Sequence, residues 1–175
     1  MKYTTRFLIS LLALLVLISA FSSCDGGNWR NDVSAADLSR QVEAALPAGD
    51  GFEAVSDSFI SASSWGEDYA DSMKLVTEYR IFVSANSDMN VDEVGIFRTE
   101  SAKDAAKIKS FVEKYLEAKK LRMTPLLESY NQAELPKLDC SDVTVCGNYV
   151  LYTILNSTDT TTAHSTFEKA LQTES

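Results

Sequence analysis

Residues 143–155 read Val-Thr-Val-Cys-Gly-Asn-Tyr-Val-Leu-Tyr-Thr-Ile-Leu. β-branched and aromatic residues flank a single Gly-Asn pair, the composition of two strands joined by a two-residue loop. Glycine at the first loop position suits a type II′ turn. That turn sets Val145 opposite Val150 and Val143 opposite Tyr152, on one face with Ile154. Thr144, Leu151 and Thr153 fall on the alternate face. Register and hydrophobicity agree, so an antiparallel hairpin is expected here.

Working outward, Leu75–Val83 (LVTEYRIFV) alternates as a strand, with Tyr79, Ile81 and Val83 on one face and Glu78 and Arg80 on the other. A polar turn over 84–90 leads to a returning strand, Val91–Arg98, in which Val94 and Ile96 share a face. Gly95 inside that strand signals a bulge or a close approach. Ser101, with Asp104 three places on, caps the longest helix. Ile108, Phe111, Val112, Tyr115 and Leu116 form its apolar stripe. The stripe fails at Lys119, and Pro125 is expected to bar continuation, leaving 126–136 as an irregular connector. Ser34 and Asp37 open a first helix over 35–46, closed by Pro47 and Gly49. A last helix over about 160–172 turns Ala163, Phe167, Ala170 and Leu171 inward. Residues 50–72 give no clear period.

The order α, unassigned segment, ββ, α, ββ, α predicts an α+β fold. It is expected as a two-layer sandwich, with an antiparallel sheet of about four strands (two hairpins) and helices packed on one face. This domain is expected to occupy residues 33–175.

The N-terminus carries an address. Lys2 and Arg6 precede an apolar run, Phe7–Phe21, interrupted only by Ser10 and Ser19, and small residues Ser22 and Ser23 lead to Cys24. This is the order of a secretory signal peptide, here residues 1–23. The run is shorter than the roughly 20 residues that span a bilayer as a helix. The stretch Ala20-Phe21-Ser22-Ser23-Cys24 resembles the lipobox of bacterial lipoproteins, with Phe21 departing from the usual aliphatic residue. The resemblance implies a diacylglyceryl thioether on Cys24, cleavage just before it, and attachment to the outer face of the cytoplasmic membrane. An ordinary cleavage site at Ala20-Phe21-Ser22 and an uncut anchor are the competing readings. Residues 24–32 (CDGGNWRND) read as the lipidated cysteine and a flexible tether.

The whole chain has net charge −9, and residues 1–24 hold two bases and no acid, so the remainder carries −11. A nucleic-acid partner is not expected for so acidic a surface. Cys140 and Cys146 are the two other cysteines. Outside the cytoplasm they are permitted to pair. Six residues of extended strand span roughly 20 Å, so a bridge requires a turn at Ser141-Asp142; two buried thiols are the alternative.

Chemistry is sparse. His164 is the only histidine. Its place beside Ala163 predicts a sideways or outward side chain, and no G-x-S-x-G elbow accompanies it. A lone histidine and two cysteines do not make a zinc site. Residues 86–93 space oxygen side chains like a calcium loop but lack its glycine and its bidentate glutamate. No Gly-rich phosphate loop occurs, and neither a cofactor nor a catalytic set is implied. Glu67, Asp68 and Asp71 lie beside Trp65 and Tyr69, an acidic-aromatic group of the kind that binds sugars, or else a solvated surface. Lys103, Lys107 and Lys114 form the one basic stripe, on a flank of the longest helix.

The strand Val94-Gly95-Ile96-Phe97 before a long Lys/Glu-rich helix, and the hairpin Gly147-Asn148-Tyr149-Val150 before the last helix, resemble a family. It is a domain of unknown function found in small lipoproteins of Gram-positive anaerobes. The resemblance covers about residues 33–171. It implies an extracytoplasmic lipoprotein and supplies no activity. The function expected is a non-enzymatic module that binds a protein or envelope component through the sheet face, an edge strand or the surface around Trp65 and Tyr69. A small-ligand pocket near Trp65 is the alternative, and an envelope-polymer hydrolase a weaker one.

Overall fold

The computed structural model describes residues 28–47, 51–86 and 89–173. The signal peptide and Cys24 lie outside the described residues. Helix α1 (Ala35–Ala45) starts as its sequence implies, with Ser34 Oγ accepting the Asp37 N–H, and buries Leu38 and Val42. The segment without a clear period holds a short strand β1 (Phe52–Ala54), a 3₁₀ turn (Asp57–Phe59) and two short helices, α2 (Ala62–Trp65) and α3 (Tyr69–Met73). Then come β2 (Val76–Ser84), β3 (Glu93–Thr99), the long helix α4 (Ala102–Tyr130), a 3₁₀ turn (Gln132–Glu134) and α5 (Leu135–Asp139). Strands β4 (Asp142–Cys146) and β5 (Tyr149–Ile154) and helix α6 (Ser157–Leu171) complete the chain.

The fold is α+β, built on an antiparallel sheet in the order β1-β2-β3-β5-β4. The late hairpin has the expected register: Val145 faces Val150 and Val143 faces Tyr152. Gly147 has φ +59° and Asn148 is not left-handed, as a II′ turn requires. Gly95 marks a close approach, not a bulge. It pairs with both Ile81 and Tyr152 in unbroken register, and a Cβ on it would overlap the Tyr152 ring.

The layering differs from expectation in two ways. Among the described residues the sheet has five strands rather than about four, because Phe52–Ala54 adds to the outside of β2. The helices cover both faces of the sheet. Phe97, Val150, Tyr152 and Ile154 pack under α4 with Ile108, Val112 and Tyr115. Val94, Ile96, Tyr149 and Leu151 pack under α1 and α6 with Leu38, Val42, Ala163 and Phe167. Every residue of β5 is buried, the pattern of a strand covered on both sides.

The third difference is α4, which continues through Pro125 to Tyr130. Proline removes one bond and crowds the carbonyl four residues back, here that of Leu121. Leu121 is 80% exposed, so its carbonyl can turn to water. Met123 and Leu127 on the opposite side pack against the core, and that burial holds the helix together beyond the proline.

The N-terminal segment is fixed at one end of the sheet. Tyr149 Oη accepts the Val33 N–H (3.1 Å) and donates to the Val33 carbonyl (2.8 Å). Arg98 donates to the Asn31 carbonyl (2.7 Å) and to Glu78 (2.6 Å), and Glu78 accepts the Ala35 N–H (2.9 Å). Trp29 bridges to Gln172 and packs at Gly147. The chain therefore enters the domain at the Gly147 end of the late hairpin.

Candidate functional site

The densest polar chemistry is internal. Glu93 is fully buried, on the face of β3 that it shares with Gly95 and Phe97. It accepts hydrogen bonds from Tyr115 Oη (2.7 Å) and Tyr152 Oη (2.5 Å), and Lys119 Nζ closes an ion pair with its other oxygen. Burial first, and the Glu93 carboxylate next, push both phenols well above their ordinary value. Lys119 is the residue at which the apolar stripe of α4 fails. Its position one turn past Tyr115 is a core position, and a lysine there needs a buried acid. The period-2 reading of β3 put Val94 and Ile96 on the apolar face and so left Glu93 on the alternate one, and only the covering of that second face by α4 brings Glu93 inside. With both phenols and the ammonium bound to it, Glu93 is a structural anchor between sheet and helix.

Trp65 belongs to this interior and is not a surface. It is 4% exposed and stacks on Tyr115 at 3.7 Å between centroids and 4° between planes. Phe111 stacks beyond it, and Phe97 and Tyr152 meet it edge-on. Its Nε1 is buried with no hydrogen-bond partner. The expected interaction surface at Trp65 is corrected accordingly, and the indole itself fills the space between helices and sheet where a ligand pocket was expected. Tyr69 is half-buried against the same cluster. Lack of periodicity over 50–72 hid this, because two short helices deliver single aromatic anchors with no repeating stripe.

The other expected groups are dispersed and largely engaged. Lys107 pairs with Asp104 (2.8 Å) and Lys114 with Asp68 (3.1 Å), while Lys103 lies exposed on the first turn of α4. The basic stripe is thus largely neutralised by local acids. Asp71 pairs with Lys74 (2.7 Å), so with Asp68 two of the three acids near Trp65 are held in ion pairs. Residues 87 and 88 of the calcium-like loop lie outside the described residues, and its Glu93 is committed to the core. No disulfide joins Cys140 and Cys146. Cys146 is buried with the α1/α6 cluster, whereas Cys140 is the half-buried C-cap of α5.

His164 corrects a further expectation. Its side chain is 13% exposed, turned to the sheet. Nδ1 shares a hydrogen bond with Thr144 Oγ1 (3.0 Å), and Nε2 lies 3.4 Å from Thr153 Oγ1. Burial lowers its pKa, opposed by the charges of Asp142 and Glu168. The alternate hairpin face, with its two threonines, is what receives it.

On the surface, the large apolar residues that stand exposed among the described residues are Leu121, Leu126 and Tyr130, all on the last three turns of α4. Helix α4 starts beside the Thr99–Asn148 contact and reaches Glu93, at the other end of β3, by Lys119. The residues beyond add about 16 Å. The exposed apolar residues therefore sit at the end of the domain opposite the entry of the chain at Trp29. Among the described residues no helix is long and apolar enough to cross a membrane.

Residues 67–155 match the family described as domain of unknown function DUF4358. The match covers just over half the chain and spans α3 through β5, including Glu93, Tyr115, Lys119 and Tyr152. The chain belongs to this family. No curated protein and no solved structure matches it.

Proposed function

We propose that this DUF4358-family chain is a non-enzymatic, lipid-anchored extracytoplasmic module that presents the far end of α4 to a protein of the cell envelope. The polarity of the domain carries this reading. The chain enters at the Gly147 end, where Trp29 packs, and Leu121, Leu126 and Tyr130 stand exposed at the opposite end. A tether at one end and an apolar surface at the other suit a protein that projects from a membrane towards a partner. The leader over residues 1–23 and the lipobox-like stretch ending at Cys24 supply the anchor. The state of the ionisable side chains supports a non-catalytic role: Glu93 is sealed between two phenols and a lysine, and His164 lies between two threonines.

The test is site-specific photo-cross-linking in intact cells, with the probe at Leu121 or Tyr130 and a control probe at Lys103, near the tether end. Mass spectrometry of the N-terminal peptide comes from the same cells, with Cys24→Ala as the comparison. An acylated Cys24, and a discrete protein adduct from positions 121 and 130 but not 103, are expected. An unmodified Cys24 overturns the anchor. Adducts only from position 103, or none, overturn the presenting surface.

A further inference from the structure

We propose that the outer edge of β4 takes up an extended, basic peptide of a partner protein as a sixth strand, in the groove between β4 and α4. The proposal rests on the interaction-module reading for the kind of occupant, and names a second site and the chemistry it accepts.

The sheet order leaves β1 and β4 at its two edges. β1 has three residues and offers little to pair with. β4 has five, pairs with β5 without a register shift, and contains no Pro, Gly or Lys. It thus lacks several devices that close an edge to further pairing.

The backbone groups that face outward follow from the turn. In a two-residue hairpin the flanking pair, here Cys146 and Tyr149, exchanges both hydrogen bonds, and bonded pairs then alternate. Thr144–Leu151 and Asp142–Thr153 are the other bonded pairs. Val143 and Val145 consequently turn their N–H and C=O groups to the outer edge. The Val143 N–H is held by the Oδ1 of its own neighbour Asp142 (2.8 Å). That carboxylate occupies the place a partner carbonyl would take.

A cleft of about 510 Å³ lies at the Asp142–Val143 end of this edge, with Glu113, Glu117 and Lys120 of α4 on one wall and Asp139 and Asp142 on the other. Its apolar lining comes from Leu116, Leu138 and Val143. Lys109 pairs with Glu113 (3.7 Å) and Lys120 with Asp139 (2.6 Å), and Asp142 faces His164 Nδ1 (3.6 Å), an imidazole that burial disposes against protonation, so Glu117 and Asp142 leave the rim negative. An extended strand alternates its side chains. One with small apolar residues at every second position could cover Leu116 and Val143 while lysine or arginine residues between them met the acidic rim. A second copy of this chain fits poorly, because its own β4 would bring another Asp142 to the same rim. The mode is strand addition, with backbone bonds supplying affinity and side-chain pockets specificity.

The experiment titrates the isotope-labelled full chain, in detergent, with a fluorescein-labelled octapeptide of alternating lysine and valine. Amide NMR shifts, hydrogen exchange and anisotropy are read together. Shifts concentrated at β4 and the facing side of α4, with slowed exchange at Val145, are expected. The same peptide N-methylated on its pairing edge should bind more weakly by about five-fold per lost bond. Glu117→Lys should weaken binding of the unmodified peptide, and an alternating glutamate–valine peptide should not bind. Equal affinity for the N-methylated peptide, shifts centred elsewhere, or no binding overturns the proposal. So does Val145 protection that grows with the chain's own concentration, which marks self-pairing. Cross-linking from Leu121 reads the other end of the domain, so failure of the edge site and failure of the anchored-module reading are told apart.

Discussion

Removing the cation from the buried Glu93 cluster is the sharpest perturbation of this fold. Glu93 is fully buried and Lys119 is 13% exposed at its side chain. Breaking a buried ion pair by deleting one partner costs about 3–5 kcal/mol, because the remaining charge is left uncompensated. In Lys119→Met the carboxylate keeps its bonds from Tyr115 and Tyr152, each a charge-assisted bond of about 1.5–3 kcal/mol. The cost should therefore fall at the low end, about 3 kcal/mol. Glu93→Gln keeps the shape and leaves a lysine whose stem can carry its head to water, so about 2 kcal/mol is expected. The double variant has no unpaired charge and should cost about 3 kcal/mol, so the two changes fall short of additivity by about 2 kcal/mol, within the range for groups in contact. A domain of this size has about 5–15 kcal/mol in total, so all three variants fold and the cycle is measurable. The assay is urea unfolding at pH 7 followed by far-UV circular dichroism, with an unchanged denaturant slope as the check on two-state behaviour. Additivity within about 0.5 kcal/mol, or a Lys119→Met cost no larger than the roughly 0–1 kcal/mol of an exposed pair, would refute the account of a sealed, coupled cluster.

Gly95→Ala should destabilise the domain by about 1–3 kcal/mol, as over-packing does, because its methyl group would overlap the Tyr152 ring; a midpoint in urea equal to wild type would show that the ring yields freely. Pro125→Ala should stabilise α4, by up to about 3 kcal/mol, since the alanine restores the bond to the Leu121 carbonyl; an unchanged or lower melting temperature would mean that the helix is curved around the proline to advantage. His164 makes stability depend on pH. Burial holds its folded-state pKa below the ordinary 6.5, so on acidification the unfolded chain takes up a proton before the folded one does. Stability is therefore expected to fall as pH drops below about 6.5 and to level off once the folded imidazole is protonated too. Comparing melting temperatures at pH 7.5 and 5.5 for wild type and His164→Gln checks this: the variant should lose that part of the slope, and parallel curves would exclude the histidine as its source.

The elements with a local signal were legible in the sequence. The late hairpin was readable to the residue, because the Gly147-Asn148 turn and a period-2 pattern specify register together. The N-terminus of α4 was readable from Ser101 and Asp104, since a cap is a contact within four residues. A domain of unknown function was expected from the short motifs around Gly95 and Gly147, and the match over residues 67–155 bears that much out. What the sequence alone left undecided depends on contacts between distant segments. Whether a helix survives Pro125 is settled by the burial of Leu127, and that burial depends on a core assembled from the whole chain. Whether helices cover one face of the sheet or both is settled by the docking of α1 and α6 against the alternate face of β5. Trp65 and Tyr69 sit among serines and acids that read as surface, yet Trp65 is drawn inside by Tyr115, 50 residues on. Lys119 looked like the end of an apolar stripe until Glu93, 26 residues earlier, arrived beneath it. Local pattern determines which segments are strands and helices. The desolvation of aromatic rings and charges, which no single segment can complete, determines which side chains end up inside.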